Sequence, residues 1–515
     1  MNFSSQFFSV VMGFNVCAQA TSEKQVRTCH LSGWYETDKE KLQEQLLQCE
    51  TDAAHFYSAG LEEVRAVIVP HAGYKYSGSL SAAGLRLFDK KKIKRIILLA
   101  PCHSWVTAQA KAFVTDELHY DLPLGSLALD NKAATQLVEK NKKLFMWGKN
   151  INPVENASHN PFDKEHSMEI ELPLLHYYMP DATVLPVIIG HGLSQKQCEE
   201  IAKALKPFIN EETGLVISSD FIHYGSTYNF LPFQGKTCLL DRIRAMTSEV
   251  MQPIFKHSFT EFQIALKKTK ANVCGYELIS ILLALLADAQ FKKLAPYLVG
   301  YGTSSDGKLN EKEISKGTVS YGTIAFAKGS KKDIPLLTDY EKRSLLEYAR
   351  NSIQQRFAKK CGAELLTPLL SPGLQQQCGT FVTLTDAKGV LRGCIGTVMP
   401  RESLYVAVRD NAQSAAFNDR RFAPLSLIEL KDLKVEISLL SVPRETSQEK
   451  VTLGDGVIFE KDGQSALFLP EVALEQGWDL LTMFSQLAKK AGLSSSAWKD
   501  AKAKFKVFRT EKIKL

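Results

Sequence analysis

The chain has 515 residues, of which 45% are hydrophobic and 23% charged, and it carries a formal charge of +7. That length supports two or three domains with real cores, and the balance excludes disordered, collagen-like and disulfide-scaffold classes. A charge this mild gives no reason to invoke nucleic acid or a membrane surface, and no apolar run reaches the roughly 18–20 residues of a spanning helix.

Ten cysteines are scattered without a CxxC pair, which fits neither a disulfide framework nor a zinc finger. Reduced, mostly structural thiols are therefore expected. All eleven histidines lie at or before His257, so imidazole chemistry belongs to the first half of the chain. At the N-terminus, FFSVVMGFNV is a short apolar core and Ala18-Gln19-Ala20 resembles a signal-peptidase site, but no Lys or Arg precedes it. Residues 1–26 read as a tail and the protein as cytoplasmic; export follows instead if residues 1–20 are a signal peptide.

In chain order, SGWYETDKEKLQEQLLQC gives an aromatic pair and then helical spacing at Leu42, Leu46 and Cys49. The run Ala66, Val67, Ile68, Val69 is unbroken and β-branched, which predicts a strand buried on both faces. Pro70 ends it and His71 follows. A small-residue helix is predicted around Ser81–Phe88, then the strand RIILLAP, with Cys102 and His103 beyond it. KAFVTDELHY and DLPLGSLALD suggest a hairpin, and Asn131–Lys140 a helix. Glu165, His166 and Glu169 precede an apolar helix. ATVLPVIIGHG and GLVISSD are further strands, the second leading to Asp220 and His223. VCGYELISILLALLADA is a strongly apolar helix, GYGTSSDG a loop, and GTVSYGTIAFA a closing strand. Alternation of strand and helix implies one α/β domain with a parallel or mixed sheet.

AKGSKKDIPLL is a charged break, read as the linker over residues 329–337. Beyond it, YEKRSLLEYARNSIQQRF is amphipathic, CGTFVTLTDAKGVLRGCIGTV gives two strands, KVEISLLSVP another, and GVIFEKDGQSALFLP a hairpin turning at Lys461–Gln464. This second domain is α+β. Its ending has nine Lys/Arg against two acids over residues 489–515, but KFKVFRT alternates as a strand with a solvated face, so no nucleic-acid partner is expected.

Three buried strands thus each deliver an imidazole (His71, His103, His223) to a carboxyl end, where ligands sit in open α/β sheets. A metal needs a third donor, for which Cys274, Asp220, His223 and Glu165 are candidates. Cys274 precedes Gly275 at a helix start, where the backbone dipole favours thiolate. Two imidazoles and a thiolate suit iron(II), copper or zinc. Each residue also has a plainer reading: His71 and His103 as loop histidines, Cys274 as a packed hydrophobe, Asp220 as a turn cap, Glu165 as the start of a capping box. His159 and His191 are loop residues without an assigned role.

VPHAGYKYSG, LAPCHS, EHSMEIELPLL, SSDFIHYG and CGYELIS occur in the order typical of Memo-like proteins, with SGWY ahead of them. The chain resembles that family over residues 27–328. The family in turn resembles, in fold, the class III extradiol ring-cleavage dioxygenases, which hold non-haem iron with two His and a Glu. The resemblance implies His71 and His103 as metal ligands, Cys274 in the place of the carboxylate, and His223 as the acid/base histidine with Asp220 beside it. In LAPCHS, Cys102 departs from the commoner Gly-Pro-Ser/Asn-His form and adds a second thiol.

LRGCIGTV, AAFNDRRFAPLS, VEISLLS and LFLPEVALEQGWD resemble an AMMECR-type domain over residues 338–515. Its most distinctive motif holds Arg392, Gly393, Cys394, Ile395 and Gly396; the two glycines suggest close backbone packing, and Cys394 is either packed or reactive. The two families joined in one chain resemble components A and B of the AmmeMemoRadiSam system, which implies a separate radical-SAM protein as partner. The expectation is a metal-binding, redox-active protein with Fe(II), or Cu or Zn, at a dioxygenase-like site acting on an unidentified small molecule or peptide. The alternatives are a metal-free Cys–His enzyme, in which His223 and Asp220 activate Cys274, and a non-enzymatic peptide- or metal-binding and partner-docking protein.

Overall fold

A computed structural model describes residues 26–28, 31–56, 60–103, 111–150, 160–163, 165–307, 310–329, 334–357 and 369–514. The possible signal segment, His30, His159 and part of the linker lie outside the described residues. No helix among the described residues is long and apolar enough to cross a membrane.

The first domain is built on a mixed sheet whose centre is four parallel strands in the order Ala66–Val69, Thr213–Ser218, Arg95–Pro101, Thr183–Ile189. Their unbroken apolar runs reflect burial on both faces. On one side, Ile68, Leu99, Val187 and Ile217 pack with the helices Gln195–Leu205, Leu239–Phe255 and Tyr276–Leu286. On the other, Val67, Leu98, Ile188 and Val216 pack with Lys39–Ala53, Tyr74–Leu85 and Glu171–Tyr178. Thr318–Lys328 runs antiparallel beside Ala66–Val69 and also pairs antiparallel with Leu294–Thr303 and with His223–Tyr224. The expected hairpin forms between His119–Leu122 and Gly125–Ala128.

Two expectations need correction. GYGTSSDG is not wholly a loop: Gly300, Tyr301, Gly302 and Thr303 end the strand Leu294–Thr303, because Thr318–Lys328 supplies a partner for its backbone. The helix predicted around Ser81–Phe88 runs over Tyr74–Leu85, starting directly after Gly73. Among the described cysteines, Cys49, Cys102, Cys198, Cys274, Cys378 and Cys394 are outside disulfides as expected, but Cys238 is disulfide-bonded.

The link into the second domain is seated. Leu336 packs on the first domain's core and Leu337 enters the second's. Thr338 caps the helix Asp339–Gln354 in a capping box with Glu341, and its hydroxyl donates to the Leu298 carbonyl at 2.6 Å.

The second domain holds two four-stranded sheets. In the first, Leu391–Thr397, Gly379–Thr385, Lys434–Leu440 and Thr510–Ile513 pair antiparallel, and Val382, Leu384, Ile437 and Leu439 bury one face under Asp339–Gln354 and Leu404–Phe417. The second sheet contains the expected hairpin, Gly456–Lys461 with Gln464–Phe468, beside Lys504–Phe508 and Arg444–Thr446. Asp462 and Gly463, at φ 48° and 77°, give the primed turn that matches strand twist. Basic residues of the ending are engaged internally: Lys506 meets Glu460 at 3.0 Å, and Lys512 meets Glu436 at 2.9 Å and Glu471 at 3.0 Å.

Candidate metal centre

Val69 pairs with Ser218 and Leu99 with Ile217, so the carboxyl ends of these strands finish at one edge. His71, His103, Asp220 and His223 are delivered there from three strands, as the sequence predicts. His191 arrives as well, beyond Thr183–Ile189.

His71 is buried. Its Nδ1 lies 2.9 Å from Ser218 Oγ, and that hydroxyl donates to the Ser167 carbonyl at 2.6 Å. A hydroxyl has one proton and a carbonyl only accepts, so His71 Nδ1 must be the donor. The proton-free Nε2 is then aimed into the site, buried and without a hydrogen-bond partner. Burial pushes the His71 pKa well down, helped by the neighbouring imidazoles.

Glu165 orients His103. One carboxylate oxygen lies 2.8 Å from His103 Nδ1 and the other accepts the His103 backbone N–H at 2.6 Å. Burial pushes Glu165 up, but the bonds from His103 prevail and hold it below the ordinary carboxylate value. As an anion it accepts the Nδ1 proton and leaves His103 Nε2 free. Glu165 also caps the short helix His166–Glu169 through Ser167 N at 3.1 Å, and Ser167 Oγ ties that helix to the Pro101 carbonyl at 2.7 Å.

This brings in His166, read from sequence only as part of a motif. One ring nitrogen each of His71, His103 and His166 lie within 4.8 Å of one another. The His103 and His166 rings stack at 4.5 Å, and the Trp34 ring lies 4.2 Å from that of His166. The SGWY stretch is held there by Glu169, which accepts from Leu31 N at 2.8 Å and Tyr35 Oη at 2.9 Å. Burial lowers the His166 pKa to about 4, so the ring is neutral at physiological pH.

Asp220 joins two parts of the site. Its Oδ1 accepts the His71 backbone N–H at 3.0 Å, and its Oδ2 lies 3.9 Å from His71 Nε2 and 4.0 Å from His223 Nε2. Burial raises its pKa to about 7. His223 Nδ1 faces the carbonyls of Phe221 at 3.3 Å and Asn272 at 3.2 Å, so it carries the proton. Its Nε2 faces Cys274 Sγ at 3.5 Å. Burial lowers His223 to about 4 and, with Asp220, raises Cys274. The thiol is therefore protonated here, against the lowering expected from its helix start; desolvation outweighs the dipole. Asn272 clamps His223, accepting from its N–H at 3.0 Å and donating to its carbonyl at 2.9 Å.

The structure thus brings His71 and His103 together with His166, and places Cys274 against His223. His166, Asn272 and Ser218 are the contributors the sequence reading missed; position beside Glu165, Cys274 and Asp220 was the available signal. The residues present suit a transition ion: three imidazoles, one backed by a carboxylate, and a buried nitrogen lone pair with no protein partner.

In the second domain, Arg392 Nε donates to Glu429 at 2.6 Å, and Cys394 N donates to Asp419 at 2.9 Å. A Cβ on Gly393 would run into the Ala415 carbonyl, and one on Gly396 into the Thr380 carbonyl and the Phe381 ring. The glycines are required by close packing, as expected. Cys394 Sγ lies 3.3 Å from Thr383 Oγ1.

A family model described as Memo-like protein matches residues 27–325, and one described as AMMECR1 matches residues 346–513. A MEMO1 family protein of Schizosaccharomyces pombe is 27% identical over 322 residues, covering 57% of this chain and 96% of that protein. A protein of Pyrococcus furiosus is 35% identical over 179 residues, covering 32% of this chain and 84% of its own length. A crystal structure of an uncharacterized protein from Pyrococcus horikoshii matches with 34% identity and a TM-score of 0.30, over 33% of this chain and 88% of that one.

Proposed function

The chain belongs to the Memo-like family and carries an AMMECR1 domain behind it, and from that premise we propose that its first domain is a non-haem metal centre of dioxygenase-like type. His71, His103 and His166 hold one transition ion, iron(II) foremost, with copper or zinc as competitors. The observation that carries this reading is the buried His71 Nε2, which has no partner and whose lone pair faces two further imidazoles. When bound, the ion supplies Lewis-acid and redox chemistry to a small substrate.

The chain's own residues do the rest. Ser218 and Glu165 fix the tautomers of His71 and His103. Asp220, near its midpoint at neutral pH, holds or releases a proton 4.0 Å from His223 Nε2. His223 Nε2 accepts a proton from substrate or from Cys274. Trp34 and the SGWY segment cover His166 and limit water there.

A second reading makes Cys274 the third donor in place of His166, and a third makes Cys274 a metal-free nucleophile activated by His223. The 3.5 Å Cys274–His223 contact, with Asp220 4.0 Å from His223, favours keeping both. Elemental analysis of protein purified without oxygen separates the three. Under the leading reading, His166→Ala loses most of the metal and Cys274→Ala keeps it. The reverse pattern selects Cys274 as ligand, and a metal-free parent protein overturns both metal readings.

The joining of these two domains also supports work in an AmmeMemoRadiSam-type system beside a radical-SAM protein. Co-purification of the two, tested on full-length protein, checks this.

A further inference from the structure

A cavity of about 1120 Å3 lies in the second domain, lined by both its sheets, with no histidine among the described residues that line it. Its floor is the uncovered face of the first sheet. Cys394, Thr383 and Glu436 are register partners across three adjacent strands, and all three line it. Leu467, Phe468 and Leu469 supply an apolar wall from the second sheet and the turn after it. Lys490, the last residue of the helix Leu480–Lys490, completes it.

The charges of this cavity are unevenly matched. Asp419 is taken by Arg421 at 2.7 Å, and Glu436 and Glu471 are taken by Lys512. The other lining carboxylates, Glu347 and Glu475, are solvent-exposed. Lys490 stands against the apolar wall. Its Nζ donates to the Leu467 carbonyl at 2.9 Å and lies 4.7 Å from the Phe468 ring centre, with no carboxylate partner among the described residues. The residue as a whole is solvent-exposed, but partial desolvation of the ammonium, with Arg421 nearby, pushes its pKa down.

We propose that this cleft binds a small carboxylate with an apolar body, its anion on Lys490 beside Cys394 and its body against Leu467, Phe468 and Phe381. Arg350 and Lys434 also line the cleft without a carboxylate, but they donate to the backbone carbonyls of Leu433 and Ala387, and Lys514 is solvent-exposed. A carboxylate on Lys490 is therefore the anion whose body also reaches the apolar wall. Inorganic phosphate has no apolar body and would leave the wall of Leu467, Phe468 and Leu469 unused. A pocket with apolar walls and few polar anchors is the ordinary form of a small-molecule site.

Alkylation of Cys394 in the full-length chain tests this, using iodoacetate against its neutral analogue iodoacetamide, read by peptide mass mapping. In both cases the sulfur bonds to the methylene carbon, iodide leaves with the electron pair, and the thiol proton passes to buffer. The reagents differ in charge. Relative to free cysteine in the same buffer, Cys394 should favour iodoacetate by on the order of tenfold, the worth of one charge-assisted contact. Phenylacetate should protect Cys394, and Lys490→Gln should return the ratio to that of free cysteine. A parent ratio equal to free cysteine, a raised ratio that survives Lys490→Gln, or a Cys394 inert to both reagents overturns the proposal. Protection by inorganic phosphate but not by phenylacetate overturns the apolar-bodied ligand. The phenylacetate arm needs no variant, so a poorly folded Lys490→Gln does not blunt the test.

Discussion

Glu165 grips His103 twice, with one carboxylate oxygen 2.8 Å from Nδ1 and the other 2.6 Å from the backbone nitrogen. The same side chain caps the helix that carries His166, so one carboxylate fixes two of the three converging imidazoles. Such outer partners raise ligand basicity and hold ring orientation. Glu165→Gln should therefore weaken metal binding by on the order of 10–100-fold. It should cost only about 1 kcal/mol of stability, the worth of one cap. A chelator-competition titration beside a thermal melt reads both; unchanged affinity would sink the role assigned to Glu165.

The strand-end histidines were legible because their strands are buried on both faces and so appear as unbroken apolar runs. The third imidazole was not. His166 lies at the start of a short helix, and what carries it to the site is a bond from Ser167 to the Pro101 carbonyl, a pairing 66 residues apart that no local pattern encodes. Likewise Leu294–Thr303 is rich in glycine at its end and becomes a strand only because Thr318–Lys328 lies beside it. The cleft at Cys394 depends on how two sheets face one another, which sequence periodicity does not specify.

Gly393 offers a cleaner test of the second domain's packing. An added Cβ meets the Ala415 backbone carbonyl on helix Leu404–Phe417, which cannot move alone. Gly393→Ala should destabilise the protein by about 1–3 kcal/mol, the usual cost of overpacking. Gly454→Ala, with open space around the new methyl, serves as the control. Equal melting temperatures for the two variants would show that the close approach is not what requires glycine.

Glu341 should make stability depend on pH with a definite sign. Burial raises its pKa to about 7 in the folded state, against 4.5 when free. The folded chain therefore holds this proton more tightly than the unfolded chain. The contribution is fully present below about pH 4.5 and is lost as pH rises through about 7. Glu341→Gln keeps an oxygen for the Thr338 N–H and removes the titration. Relative to the parent it should gain stability as pH rises from 4.5 to 7. Denaturant midpoints across that range check it, and a constant difference between the two proteins would contradict the raised pKa.

The tautomer of His71 rests on a single hydroxyl. Ser218 Oγ gives its proton to the Ser167 carbonyl and so accepts from His71 Nδ1, leaving Nε2 bare. Ser218→Ala removes that acceptor. The ring then has a reason to carry its proton on Nε2 instead, where Asp220 Oδ2 lies 3.9 Å away. A protonated Nε2 cannot bind metal, so affinity should fall on the order of tenfold, the equivalent of about 1.4 kcal/mol for the tautomer change. Loss of a partner for the buried Ser167 carbonyl should cost stability of about 1–3 kcal/mol. Nitrogen-15 spectra of the metal-free protein distinguish the tautomers directly, which a purely structural effect of the mutation would not alter. A His71 that keeps its proton on Nδ1 in Ser218→Ala, with metal affinity intact, would mean that the surrounding imidazoles and Asp220, not the hydroxyl, set the lone pair.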